Sequence, residues 1–181
     1  MTKNSSLGIG VIGAGRIGTL RARLAGKHPC VNYLAISDKD PARAEALMKT
    51  AGGHRFSGSN DDIINDPKVT AVVVSTPEQQ HTAPIIAALK LGKPVLVEKP
   101  IGFSIREADQ ILQVLHETKG DLRVGYSRRY KECFLRAKEQ MLHNRLGKVV
   151  GGTARVYNSR AQAFAILKRD PHATQIGRAH V

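Results

Sequence analysis

Five groups of residues in this chain are suited to chemistry by type and spacing. Gly13-Ala-Gly15-Arg16-Ile17-Gly18 has the Gly-x-Gly-x-x-Gly spacing that lets backbone N–H groups close on a phosphate. Asp38, twenty positions beyond Gly18, can accept hydrogen bonds from a pair of neighbouring hydroxyls, and Lys39 sets a cation beside it. Ser75-Thr76-Pro77, followed four positions later by His81, offers hydroxyls and an imidazole. Glu98-Lys99-Pro100 holds a lysine between an acid and a proline, and an unprotonated lysine can take the proton of a hydroxyl. Arg128-Arg129 can orient an oxygen-rich ligand or simply pair with carboxylates.

Each group directly follows a short apolar run. Leu7–Ile12, Val31–Ser37, Val69–Val74, Pro94–Val97 and Leu122–Tyr126 read as strands, and the Val/Ala content of the third suits a strand buried on both faces. Helical patterns lie between them: Arg16–Lys27, Ala42–Thr50 with Asp40 as N-cap and Pro41 at the first position, a short piece at Asp61–Asn65, and Thr82–Leu91 with Gly92 just beyond. Ser104-Ile-Arg-Glu107 is a capping box that opens a further helix ending near Gly120. Strand and helix in alternation predict an α/β fold, a Rossmann-type doubly wound parallel sheet.

In such a sheet all carboxyl ends lie along one edge, and ligands bind there. The five groups therefore converge, and a strand before the glycines with a helix after them makes a dinucleotide the expected ligand. The predicted cofactor contacts are Gly13, Gly15, Arg16, Ile17, Gly18, Asp38, Lys39, Ser75, Thr76, Pro77, His81 and Glu98. Asp38 would repel the 2′-phosphate of NADP by about 1 kcal/mol in water and about 4 kcal/mol at intermediate dielectric. The expected cofactor is thus NAD, while Lys39 leaves NADP open. Lys99 is the candidate catalytic residue. Partial burial, a nearby Arg128 and a cationic nicotinamide ring would each help it shed its proton. Arg128 is the candidate substrate contact. No metal site is expected.

Taken together, Gly13-x-Gly15-x-x-Gly18, Asp38, Ser75-Thr76-Pro77-x-x-x-His81, Glu98-Lys99-Pro100 and Gly125-Tyr126-Ser127-Arg128-Arg129-Tyr130 resemble the Gfo/Idh/MocA oxidoreductases over about residues 7–160. The resemblance implies an NAD(P)-dependent dehydrogenase acting on a sugar or cyclitol hydroxyl, or on the matching ketone, in a homo-oligomeric parent. It also implies a role for Lys99 in catalysis and a cis Lys99–Pro100 peptide. Family members carry a second α/β domain with an open, mostly antiparallel sheet, whose catalytic Asp and His stand four residues apart on a helix. Asp170 and His172 stand two apart and do not match that pair.

The expected organisation is therefore a Rossmann domain over residues 1–124, then residues 125–175 as the incomplete start of an α+β substrate domain. That start reads as a helix over Tyr130–Leu146 and a strand over Lys148–Asn158. The last six residues, Ile176-Gly-Arg-Ala-His-Val181, are what ATC GGA AGA GCA CAC GTC encodes, a string that looks like a common short-read sequencing adapter. They are expected to be a non-native tail, and the chain a fragment that binds cofactor alone.

Composition narrows the alternatives. The 181 residues carry a net charge of +13, an excess of four basic residues up to Gly120 and of nine after it. The basic second part has no zinc-finger or RNP motif and the chain has no Trp, so a nucleic-acid partner is not expected. No apolar run approaches the ~18 residues of a membrane span, and the N-terminus lacks a signal-peptide pattern, so the expected location is cytoplasmic. Cys30 and Cys133 are expected to be reduced and buried. The rival reading is a redox sensor that binds NAD(P) without turnover.

Overall fold

The computed structural model describes residues 6–153, 155, 161 and 164. They divide into one unit up to Arg129 and a second from Tyr130 onward. The first unit holds six strands: β1 (Leu7–Ile12), β2 (Val31–Ser37), β3 (Arg55–Ser57), β4 (Ala71–Val74), β5 (Val95–Val97) and β6 (Leu122–Val124). All pair in parallel, in the order β3-β2-β1-β4-β5-β6. The order reverses direction between β1 and β4, which opens the crevice where a doubly wound sheet takes its ligand.

Five helices cover the sheet: α1 (Arg16–Gly26), α2 (Pro41–Ala51), α3 (Asn60–Ile64), α4 (Thr82–Lys90) and α5 (Ile105–Thr118). Alternation along the strands separates two cores. Val11, Leu34 and Ile36 pack with Ala22 of α1 and Ala44 and Leu47 of α2. Ile12, Ala35, Val72 and Val74 pack on the other face with Ile63 of α3, Ile85 and Leu89 of α4 and Ile111 of α5. The caps follow the sequence. Asp40 accepts from the N–H groups of Ala42 and Arg43, and Ser104 and Glu107 form the reciprocal capping box.

Several expectations need correction. The sequence reading missed β3. The fourth strand begins at Ala71 rather than Val69, and the last strand ends at Val124 rather than Tyr126, where a 3-10 turn over Ser127–Tyr130 follows. Cys30 and Cys133 are both exposed rather than buried. In the second unit the expected helix is shorter, α6 over Glu132–Leu142. Of the strand expected over Lys148–Asn158, residues 148–153 and 155 are not in a strand, and the rest lies outside the described residues. Asp170, His172 and the tail at 176–181 also lie outside them. No helix among the described residues is long and apolar enough to cross a membrane.

Candidate dinucleotide site

The glycine turn leaves β1 and enters α1 at the point where the sheet order reverses. Gly13 has φ +97°, and a Cβ there would lie 2.8 Å from the Ser75 carbonyl oxygen. Only glycine allows both the left-handed backbone and the approach of β4. At Gly18 a Cβ would lie 1.8 Å from the Gly13 carbonyl oxygen, so its absence is what lets α1 start flush against the turn. Gly15 is different: among the described residues nothing lies within 4 Å of its Cβ position. The backbone at the N-terminus of α1 is open on this side, as a pyrophosphate lying on the first N–H groups requires.

Asp38 closes the turn from β2. It is 7% exposed, with Oδ2 accepting from the Ala14 N–H at 2.8 Å and Oδ1 from the Asp40 N–H at 3.0 Å. The Arg43 guanidinium lies 3.6 Å from Oδ1. The carboxylate thus fixes the glycine turn to the end of β2. A carboxylate has room for about four hydrogen bonds, so acceptor capacity remains for a ribose.

A cavity runs along this edge, lined by Gly13, Gly15, Asp38, Lys39, Ser75, Thr76 and Pro77, all foreseen as contacts, together with Arg43, Gly58, Asn60 and Gln80, which were not. Gly58 and Asn60 follow β3, so missing that strand hid them. Arg43 stands three residues beyond the cap of α2, a position the turn-to-helix register could have suggested. Ser37 at the end of β2 donates from Oγ to Asn60 Oδ1 at 2.9 Å, which holds this wall in place. Ser75 Oγ is buried with no hydrogen-bond partner among the described residues, a hydroxyl left over for a ligand. Gly15's open face and the Ser75 hydroxyl both fit a bound dinucleotide. Arg16 and Ile17 open α1 but do not line this cavity.

A second cavity of about 290 Å³ lies beyond the ends of β5 and β6, lined by Lys99, Gly125, Tyr126, Ser127, Arg128 and Arg129. The structure thus brings Lys99 and Arg128 together. Lys99 is exposed rather than partly buried as expected. The Lys99–Pro100 peptide is cis. Glu98, expected as a cofactor contact, lines neither cavity and pairs with Arg21. Its Oε1 accepts from Arg21 of α1, at 2.8 Å from Nε and 2.5 Å from a terminal nitrogen. His81, expected as a cofactor contact, is 1% exposed and lines neither cavity. Its ring lies between the backbone carbonyls of Thr76 and Pro100.

Residues 7–126 match the model of the Gfo/Idh/MocA oxidoreductase family, described by its NAD-binding Rossmann fold. The chain belongs to this family. Among Gfo/Idh/MocA relatives it is 30% identical to an inositol 2-dehydrogenase of Rhizobium meliloti over 168 residues, 92% of this chain and 46% of the relative. It is 34% identical to inositol 2-dehydrogenase 1 of Saccharopolyspora erythraea, over 80% of this chain and 42% of the relative. The structure of scyllo-inositol dehydrogenase from Lactobacillus casei with bound NAD(H) and scyllo-inositol superimposes with a TM-score of 0.74 at 28% identity, covering 79% of this chain and 43% of that one. The chain therefore spans less than half the length of the relatives it matches.

Proposed function

We propose that this chain is the cofactor-binding part of an NAD-dependent dehydrogenase that oxidises a ring hydroxyl of a cyclitol or related sugar, or reduces the corresponding ketone. The observation that carries the reading is the convergence on one sheet edge of the open glycine turn, Asp38, the unpartnered Ser75 hydroxyl and Lys99. The inositol dehydrogenases among the relatives support a polyhydroxylated ring as substrate.

The roles follow from position. The N-terminus of α1 and the bare backbone at Gly15 would hold the pyrophosphate. Asp38 would accept from the adenosine ribose, with Arg43 and Lys39 at the rim. The other half of the dinucleotide would then cross the switch point towards the ends of β4 and β5, beside Ser75, Thr76 and Lys99. When bound, the nicotinamide ring supplies a carbon that accepts or gives a hydride. Lys99 would hold the substrate hydroxyl and take its proton as the carbon–hydrogen bond breaks, while Arg128 would orient the ring through its other oxygens. Arg21 pairs with the Glu98 carboxylate, and Lys99 has no ion-pair partner among the described residues, so it would be available to the substrate.

The test is turnover by a longer protein that carries this chain and the remaining length of its relatives. Incubation with NAD and a panel of inositols and sugars should give reduced cofactor with at least one cyclitol. Saturable NAD binding with no reduction on any polyol would contradict the reading.

A further inference from the structure

The parallel ladder between β4 and β5 ends where the Glu98 N–H donates to the Val74 carbonyl, at 2.9 Å. Beyond it the two chains part. One runs through Ser75, Thr76 and Pro77 along the first cavity, and the other reaches Lys99 at the second. Among the described residues no backbone hydrogen bond joins Ser75–Pro77 to Lys99–Pro100. His81 makes the join. Its Nδ1 lies 2.7 Å from the Pro100 carbonyl oxygen and its Nε2 3.0 Å from the Thr76 carbonyl oxygen. Carbonyls only accept, so a neutral imidazole donates its single N–H to one of these two strand ends and sets its other ring nitrogen against the second, while an imidazolium would donate to both. The ring is buried at 1% exposure, and its backbone continues into α4, whose Ile85 N–H donates to the His81 carbonyl. The link is therefore anchored in the core rather than in a loop.

We propose that His81 is a positioning residue for the nicotinamide half of the site. By bridging Thr76 and Pro100 it sets the distance between the loop after β4 and Lys99. In the dinucleotide reading given above, on which this rests, that gap is where the nicotinamide ring and the reacting carbon meet. The adenosine half would lie on the other side of the switch point, at Asp38, whose own partners are Ala14, Asp40 and Arg43 rather than His81. The ring acts through backbone carbonyls and touches no reacting atom.

ADP-ribose separates the two halves, because it is the dinucleotide without its nicotinamide. The 181-residue chain and its variants are titrated calorimetrically with NAD and with ADP-ribose, and their folding is checked by circular dichroism. The native chain should bind NAD more tightly than ADP-ribose. In His81→Ala, NAD affinity should fall about tenfold, the loss of one to two buried hydrogen bonds, to the level of ADP-ribose, whose own affinity stays within about twofold. His81→Gln, which keeps a side-chain N–H donor, should recover part of the difference, and it decides the matter if the alanine variant does not fold. Equal losses for both ligands in a folded variant, or an unchanged difference between them, would overturn the inference. So would a native chain that binds both equally well. A folded native chain that binds neither would instead overturn the dinucleotide reading, and this inference with it.

Discussion

Arg21 of α1 grips one oxygen of Glu98 with two nitrogens, at 2.8 and 2.5 Å, and the adjacent Lys99 has no hydrogen-bond or ion-pair partner among the described residues. Both residues lie just past the end of β5, and Arg21 ties the first of them to α1. With side-chain exposures of 25% and 17%, the pair is sheltered enough to matter. Arg21→Met should cost about 1.5–3 kcal/mol in urea unfolding, the range for a hydrogen bond to a charged group. In the Arg21→Met/Glu98→Gln double variant much of that loss should return, because no carboxylate is left without its cation.

Lys99→Ala separates an enzyme from a sensor. In the longer protein, turnover should fall by about 10²–10⁴, the range of a lost general acid–base group, while NAD affinity stays near native. A protein that only senses NAD would keep its function in this variant. Stopped-flow measurement of cofactor reduction alongside calorimetry reads both quantities.

How much of this site the sequence discloses depends on the kind of signal. The caps at Asp40 and Ser104 and the glycine turn are local, since each needs only a few neighbouring residues to state its geometry. β3 is not local. Arg55, Phe56 and Ser57 form a strand only because β2 presents an edge to them, and with that strand went Gly58 and Asn60. His81 shows the same limit in another form. Its place in Ser75-Thr76-Pro77-x-x-x-His81 is legible, but the direction of its ring is set by the Thr76 and Pro100 carbonyls, which meet only in the folded sheet. The exposure of Lys99 was equally hidden, because it depends on which chain segments lie across the edge.

Asp38 has two roles that one substitution tests. Asp38→Ser should weaken NAD binding, because the anchor to Ala14 and the acceptors for the ribose are both reduced. The preference for NAD over NADP should shrink by about fivefold or more, since a charge repelling the 2′-phosphate by about 1–4 kcal/mol is gone while Lys39 and Arg43 remain. Parallel titrations with the two cofactors give the ratio. An unchanged ratio would place the adenosine ribose elsewhere.

Stability should fall in acid through Asp66. Burial pushes its carboxyl up, but the Lys68 N–H, the Tyr33 hydroxyl and the Arg55 guanidinium together hold it below the ordinary 3.8. Tyr33 Oη and the Arg55 nitrogen lie 2.8 and 2.7 Å from Oδ2. A carboxyl depressed in the folded state contributes stability that is whole above its unfolded value and is lost as pH falls through the folded one. Asp66→Asn should therefore be less stable than the native chain at neutral pH, by about 1–3 kcal/mol, and the difference should narrow at about pH 2.5. Urea midpoints at the two pH values measure it.

The most direct measurement is a calorimetric titration of this chain with NAD, run beside Gly15→Val and Gly18→Ala. The native chain should bind one NAD, saturably. Gly15→Val should fold with a melting temperature near native, since no described residue lies within 4 Å of the added Cβ, and should lose binding because its side chain would fill the proposed place of the pyrophosphate. Gly18→Ala should instead lose stability, by about 1–3 kcal/mol or more, as its Cβ meets the Gly13 carbonyl oxygen at 1.8 Å. Undiminished NAD binding by a folded Gly15→Val variant, or no binding by the folded native chain, would contradict the placement of the dinucleotide on this glycine turn.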